Sequence, residues 1–194
     1  MPDDVFEIYA DDYDRWFDEH SHEYLAELSR IRQFFLEPGI LSIEVGCGSG
    51  RYASPLGIKI GVEPSLSLCR IAKRRGIDVV RGRAEALPLK SDVCPAVLLV
   101  TVICFLDSPM PALRELFRIL IPDGNLVVAF IEYGGEIHRK YLNEGGKGRF
   151  LKTARFYSQE EVCSFLKRAG FGLENIDSKR GFCVIAAQKS DTAR

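Results

Sequence analysis

Short unbroken apolar runs recur along this chain, and segments of helical period separate them. Ile40 to Val45, Ile58 to Val62 and Ala96 to Val102 are three such runs, Leu126 to Ile131 is a fourth, and Asp78 to Arg81 is a weaker one. Runs this short, rich in Val and Ile and apolar at successive positions, read as strands buried on both faces. Ser65 to Arg75 has helical character and closes with Gly76. Pro111 to Leu120 carries Leu113, Leu116, Phe117 and Leu120 before Pro122-Asp123-Gly124 stops it. Strand and helix in rotation call for a parallel sheet with right-handed crossovers. Near the C-terminus, Ser158 followed by Glu161 is a capping-box pattern opening a helix through Arg168, with Gly170 as its stop. Leu173 to Asp177 and Phe182 to Ala187 then read as antiparallel neighbours around a Lys179-Arg180-Gly181 turn. The expected fold is α/β: one doubly wound sheet, mostly parallel with an antiparallel last strand, and helices on both faces.

A helical preface precedes the first run. Leu25, Leu28, Ile31 and Phe35 recur at helical spacing from His22 onward, and Pro38-Gly39 ends the segment. No repeat or low-complexity tract interrupts the chain, so residues 1–194 read as one domain. Its parts are a helical lid or preface (1–37), a ligand-binding half (38–133), and a distal part (134–194). The distal part holds a polar, glycine-rich excursion from Gly134 to Lys152, the late helix and the terminal strand pair.

Composition narrows the partners. A chain of 194 residues that is 46% hydrophobic has the apolar mass for one core. With 26 Lys and Arg against 27 Asp and Glu, the net charge of -1 offers no basic field to recruit nucleic acid and no polybasic arm for a membrane. The six cysteines, Cys47, Cys69, Cys94, Cys104, Cys163 and Cys183, include no C-x-x-C pair, which fits free thiols in a reducing cytosol. The acidic opening MPDDVFEIYADDYDRWF is no secretory signal, and no stretch nears the roughly 18 apolar residues of a spanning helix. A soluble, cytoplasmic protein is the expectation.

The segment Ile43-Glu44-Val45-Gly46-Cys47-Gly48-Ser49-Gly50 lies where the first strand turns toward a helix. Glycines there permit positive φ and let a ligand approach the backbone without meeting a Cβ, although ordinary tight turns use glycine too. Glu63, nineteen positions after Glu44, ends the second run where a doubly wound fold places a carboxylate for ribose hydroxyls. A dinucleotide loop of the form G-x-G-x-x-G needs a glycine where Arg51 stands, so a nicotinamide oxidoreductase fails on spacing. Glu44 would repel a pyrophosphate and attract the ammonium of an amino-acid tail. The ligand suggested is adenosine with a cationic tail.

At these residues the chain resembles the class I S-adenosylmethionine-dependent methyltransferases, in particular the type 11 methyltransferase family, with a Rossmann-like fold. The likeness covers most of the chain. Ile43 to Tyr52 is similar to the family's first motif, which implies that Glu44, Gly46, Cys47, Gly48 and Gly50 hold the methionine part of the cofactor. Gly61-Val62-Glu63-Pro64-Ser65 resembles the second motif, which implies a ribose role for Glu63 beside Pro64. Gly82-Arg83-Ala84-Glu85-Ala86-Leu87-Pro88 is similar to the adenine-recognition stretch, with the Ala84 backbone and the Glu85 carboxylate at the base edge. Thr101 follows the fourth strand at the edge where ligands of open α/β sheets bind. Arg118 to Gly124 and Phe156 to Glu161 resemble further family segments of architectural character. The implied cofactor is S-adenosyl-L-methionine, its product S-adenosyl-L-homocysteine, and no metal is expected.

The chain also departs from the pattern. Arg83 stands where the family has Asp, which shifts the adenine contact toward Glu85. Cys94-Pro95 replaces a Phe-Asp pair. Only Arg51 to Leu56 separates the loop from Gly57, a short crossover that would leave the cofactor more open to solvent.

On the acceptor side, Thr101-Val102-Ile103-Cys104-Phe105 lacks the Asn-Pro-Pro-Tyr or Asp-Pro-Pro-Tyr mark of base methylation, so a small-molecule acceptor is expected and a nucleic acid is not. Cys104 and Phe105 read as pocket wall. Tyr9, Tyr13, Trp16 and Phe17 form an aromatic cluster that in related enzymes folds over the cofactor. A plain amphipathic helix on the sheet is the alternative, more so for Trp16 and Phe17 than for the two tyrosines, whose hydroxyls need partners if buried. His20 and His22 form no metal set. Should the acceptor need to lose a proton, Tyr13 and His138 are the candidate bases, the ordinary alternative for His138 being a solvated loop histidine. Methyl transfer by in-line displacement is the expected activity, and a non-catalytic cofactor-binding regulator is the alternative. The residues specify neither the acceptor atom nor the oligomeric state.

Overall fold

Among the described residues seven strands meet in one sheet whose central members are too apolar to leave either face in water. They are β1 (Ser42–Val45), β2 (Ile60–Glu63), β3 (Asp78–Arg81), β4 (Cys94–Val100), β5 (Leu120–Ile131), β6 (Phe171–Lys179) and β7 (Phe182–Lys189). The computed structural model describes residues 2–34, 40–143, 145, 146 and 148–190. Phe35, Pro38 and Gly39, expected to close the preface helix, lie outside them. Among the described residues eight α-helices accompany the strands: α1 (Pro2–Ile8), α2 (Ala10–Glu19), α3 (Ser21–Phe34), α4 (Ala53–Leu56), α5 (Leu66–Arg74), α6 (Pro109–Ile119), α7 (Glu136–Asn143) and α8 (Gln159–Arg168).

The strand order is β3-β2-β1-β4-β5-β7-β6. Neighbours are parallel from β3 through β5, and β7 pairs antiparallel with both β5 and β6. The last strand alone therefore runs against the rest, as the sequence pattern indicates. Arg180 and Gly181, both at positive φ, make the two-residue turn into it. Alternate residues divide the core between two faces. Val97, Leu99, Val128 and Ile185 pack under α6 and α8, while Leu98, Val100, Val127 and Val184 pack with Leu28 and Ile31 of α3 and Ala72 of α5. Both faces are covered, which is why the strand sequences read as apolar runs rather than alternations.

From β1 the chain winds outward to β2 and β3, then returns to β4 on the other side. That reversal opens a crevice at the carboxyl ends of β1 and β4. The four-residue α4 is too short to cover its side of the sheet, and α3 fills the space, burying Leu28 and Ile31 beside Tyr52, Ala53 and Ile58. Arg30 fastens α3 to the terminal hairpin, donating to the Asp177 carboxylate at 2.7 Å and to the carbonyls of Asp177, Lys179 and Phe182. Three expectations need correction. The fourth strand stops at Val100, because Thr101 turns into the left-handed region with φ 52°. The fifth begins at Leu120, directly after α6. The excursion after Gly134 is no bare polar loop, since it contains α7.

The capping box is present as expected, with the Ser158 hydroxyl accepting from Glu161 N–H at 3.2 Å and the Glu161 carboxylate accepting from Ser158 N–H at 2.8 Å. Ser158→Ala should lower the unfolding free energy by about 1 kcal/mol, read as a lower urea midpoint at unchanged slope.

Candidate functional site

The glycine loop is shaped by what its neighbours leave no room for. Gly46 has φ 70°, and a Cβ there would collide with Val102 Cγ2. Gly48 has φ 52°, and a Cβ there would press on the Tyr13 ring at 3.2 Å. The turn is anchored by Gly46 and Cys47 N–H groups, which both donate to Val62 O. Glu63, 5% exposed at the end of β2, ties the loop to the next element. Its Oε2 accepts from Gly48 N–H and its Oε1 from Ser65 N–H, each at 2.9 Å. Glu63 therefore braces the loop while standing on the wall of the crevice.

The stretch after β3 is braced from α6. Glu115 accepts from Leu87 N–H at 2.8 Å, and Arg118 donates to the carbonyls of Leu87 and Leu89. This fixes Arg83, Ala84 and Glu85 on the wall of the crevice, with Arg83 3.5 Å from the Glu85 carboxylate.

A roof closes over the crevice from two sides. Phe6 of α1 stacks on Phe150 with centroids 5.6 Å apart, and Tyr13 of α2 meets Phe150 edge-on at 5.5 Å. Arg149 pairs with Asp12 at 2.7 Å and lies over the Tyr9 ring at 3.8 Å. The helical side is pinned to the loop itself. Asp14 receives Arg51 at 2.8 Å and Arg75 at 2.7 Å, Asp18 receives Arg51 at 2.7 Å, and Arg75 also donates to Ser49 O. Burial works against ionisation of Asp14, yet the two guanidiniums hold its carboxyl below the usual carboxylate range. Glu7 accepts from the Ser65 and Ser67 hydroxyls, so α1 is tied to the start of α5.

The partly roofed cavity is about 560 Å³, within the usual range for small-molecule sites. Of the residues expected to bind cofactor, Tyr13, Gly46, Gly48, Glu63, Pro64, Ala84, Glu85 and Thr101 line it together. The others do not. Glu44 is sealed beneath the loop at 1% exposure, with one oxygen bonded to Ala53 N–H and Oε2 without a partner. Cys47 is buried against Gly61, and a Cβ at Gly50 would press on Ile77 and Ala72, so both serve loop packing. Tyr9 sits outside the wall under Arg149 and latches the roof. His138 is neither in the cavity nor solvated: it is 6% exposed between Tyr133 and Phe156, and its Nδ1 accepts from Gly134 N–H at 2.9 Å. Phe105 is cavity wall, but Cys104 is buried away from it, donating to Thr101 O, and burial pushes its thiol up to about 12.

Several wall residues carry no local sequence signal. Phe6, Phe150 and Leu151 come from segments far apart in the chain, and Glu27 reads as the solvated side of an amphipathic helix. In the structure Glu27 lines the cavity, accepting from the Tyr52 hydroxyl at 2.6 Å. Burial raises its carboxyl to about 7 against the opposing pull of the Tyr52 hydrogen bond and of Arg30, with Glu23 adding slightly to the rise.

A family model for a methyltransferase domain matches residues 43–128. A solved Thermotoga maritima protein, described as a SAM-dependent methyltransferase and possible histamine N-methyltransferase, is 36% identical. Its TM-score is 0.89, covering 96% of this chain and 99% of that one. An uncharacterized protein of Methanocaldococcus jannaschii is 35% identical over 167 residues, 86% of this chain and 80% of the relative. The mouse tRNA (carboxymethyluridine(34)-5-O)-methyltransferase is 30% identical over 136 residues, 65% of this chain and 19% of that protein.

Glu27 gives the site a pH signature. Between about pH 4.5 and 7 the native protein keeps a proton that the unfolded chain has released, so stability falls as pH rises through that window and levels off above it. Glu27→Gln should abolish this fall, whose ceiling is about 3 kcal/mol, measured by chemical denaturation of both proteins across the window.

Proposed function

The chain belongs to the class I S-adenosylmethionine-dependent methyltransferases, and on that footing we propose that it methylates a small-molecule acceptor. The observation that carries the reading is the shared wall. Gly46 and Gly48 stripped of side chains, the Glu63 carboxylate, and the Ala84-Glu85 edge face one cavity at the carboxyl ends of β1, β2 and β4. That wall matches the parts of a sulfonium nucleoside in order. Glu63 takes the ribose hydroxyls beside Pro64, Ala84 and Glu85 take the adenine edge, and the two glycines let the methionine part lie on the backbone. When bound, the cofactor supplies an electrophilic methyl group on a cationic sulfur.

The protein's share is alignment and exclusion of water. Phe6, packed against both Phe105 and Phe150, forms with them an apolar roof. A dry pocket favours a transition state in which the charge of nucleophile and sulfonium disperses. The Tyr13 hydroxyl faces the loop at Gly48, and burial raises its pKa. It therefore acts as a hydrogen-bonding and positioning group rather than as a base at neutral pH. His138 packs outside the wall, and this reading routes no proton through it.

One feature favours a small acceptor over RNA: the cavity is of small-molecule size and partly roofed by Phe6, Phe105 and Phe150. No described helix is long and apolar enough to cross a membrane, and six free cysteines suit a reducing compartment, which supports a cytoplasmic location.

Calorimetry should show saturable S-adenosylhomocysteine binding, weakened tenfold or more by Glu63→Ala with the fold retained. Labelled S-adenosylmethionine incubated with cell extract should pass its methyl to the low-molecular-mass fraction. Label in the RNA fraction would overturn the acceptor assignment. Binding without transfer to any fraction would make the protein a cofactor-binding regulator.

A further inference from the structure

Among the described residues three carboxylates, Glu27, Glu63 and Glu85, stand on the cavity wall, and the proposed cofactor reading uses two of them. Glu63 braces the glycine loop beside the ribose position, and Glu85 lies against Arg83 at the adenine edge. Glu27 is left. It projects from α3, between residues whose neighbours Leu28 and Ile31 are buried in the core, so its backbone cannot swing away from the crevice. The Tyr52 hydroxyl, donating at 2.6 Å, orients the carboxylate, and Tyr52 lies on the wall with it.

The surroundings are aromatic. Trp16 and Phe17 share the wall, Phe17 meets Tyr24 and Tyr52 edge-on at 5.3 and 5.8 Å, and Tyr24 meets Tyr52 at 5.5 Å. Among the described residues no basic side chain pairs with Glu27. The nearest candidate on its own helix, Arg30, is committed to Asp177 and three hairpin carbonyls. A carboxylate fixed by a phenol, flanked by aromatic rings and without an ion pair among the described residues is the chemistry that holds an ammonium ion.

We propose that Glu27, positioned by Tyr52, is the ammonium-binding group of this cavity. The inference rests on the reading that the cavity takes S-adenosylmethionine. The attraction expected of Glu44 is not available from a side chain sealed under the loop. Glu27 offers it on the wall. Burial holds the Glu27 carboxyl near 7, and a cation seated beside it restores the ionised form. The ammonium has two sources of the same chemistry: the α-ammonium of the cofactor's methionine part, or an amine on the acceptor.

Calorimetry on wild type, Glu27→Gln and Tyr52→Phe separates them. The probes are S-adenosylhomocysteine and 5′-methylthioadenosine, which lacks the amino-acid tail. On protein saturated with S-adenosylhomocysteine, the probes are 2-phenylethylamine and its uncharged counterpart 2-phenylethanol. Glu27→Gln should weaken one ammonium-bearing probe at least tenfold, and Tyr52→Phe should weaken the same probe less. A loss confined to S-adenosylhomocysteine assigns Glu27 to the methionine tail. A loss confined to 2-phenylethylamine assigns it to the acceptor. In either case 5′-methylthioadenosine and 2-phenylethanol should change less than twofold. Unchanged affinity for both ammonium probes overturns the inference while leaving the cofactor reading intact. A parallel loss of 5′-methylthioadenosine also overturns it, since the role would then be structural. Should neither nucleoside bind wild type, the cofactor reading falls and this inference with it.

Discussion

The site depends on one buried carboxylate. Glu63, by accepting the N–H groups of Gly48 and Ser65 on separate oxygens, joins the turn after β1 to the start of α5. A buried, charged acceptor left without such donors is expensive, and backbone amides left without an acceptor are expensive too. Each side therefore enforces the other. The consequence is a cradle whose backbone geometry is set by the fold before any ligand arrives, the condition under which binding costs least reorganisation.

The roof is coupled to that cradle by charge rather than by covalent continuity. Asp14 sits one residue beyond Tyr13 and collects two arginines, one from the loop's end and one from the end of α5. The same contacts that place Tyr13 over Gly48 thus hold Arg51 and Ser49 in position. The opposite edge of the roof is lighter. It rests on Phe150 packing and on the more exposed Arg149–Asp12 pair, which water screens.

Much of the architecture could be read from local pattern. The apolar runs announced five parallel strands because strands covered on both faces carry no polar alternation. The Ser158–Glu161 box and the Arg180-Gly181 turn marked their elements because each motif satisfies backbone requirements within four residues. Boundaries moved where side chains could not reveal them. Thr101, apolar in its neighbours, leaves the strand through a positive φ that no residue type at that position announces. The two helices ahead of Ser21 fall within the expected helical preface, but the break between them at Tyr9 carries no glycine or proline to announce it.

What the sequence determined by itself was the winding of the sheet, the glycine loop and the acid at the end of β2, because these follow from short-range spacing and from the period of apolar residues. Tertiary structure alone decided which side chains face the ligand. Glu44 and Cys47 sit within the loop motif yet point under it, and His138 sits in a polar stretch yet packs between two aromatic rings. Glu27 looks like a solvated helix residue until α3 takes the place that a four-residue α4 cannot fill. Spacing along a chain records which residues are neighbours in sequence. The direction a side chain takes depends on packing against elements a hundred residues away, and that is settled only when the sheet has closed.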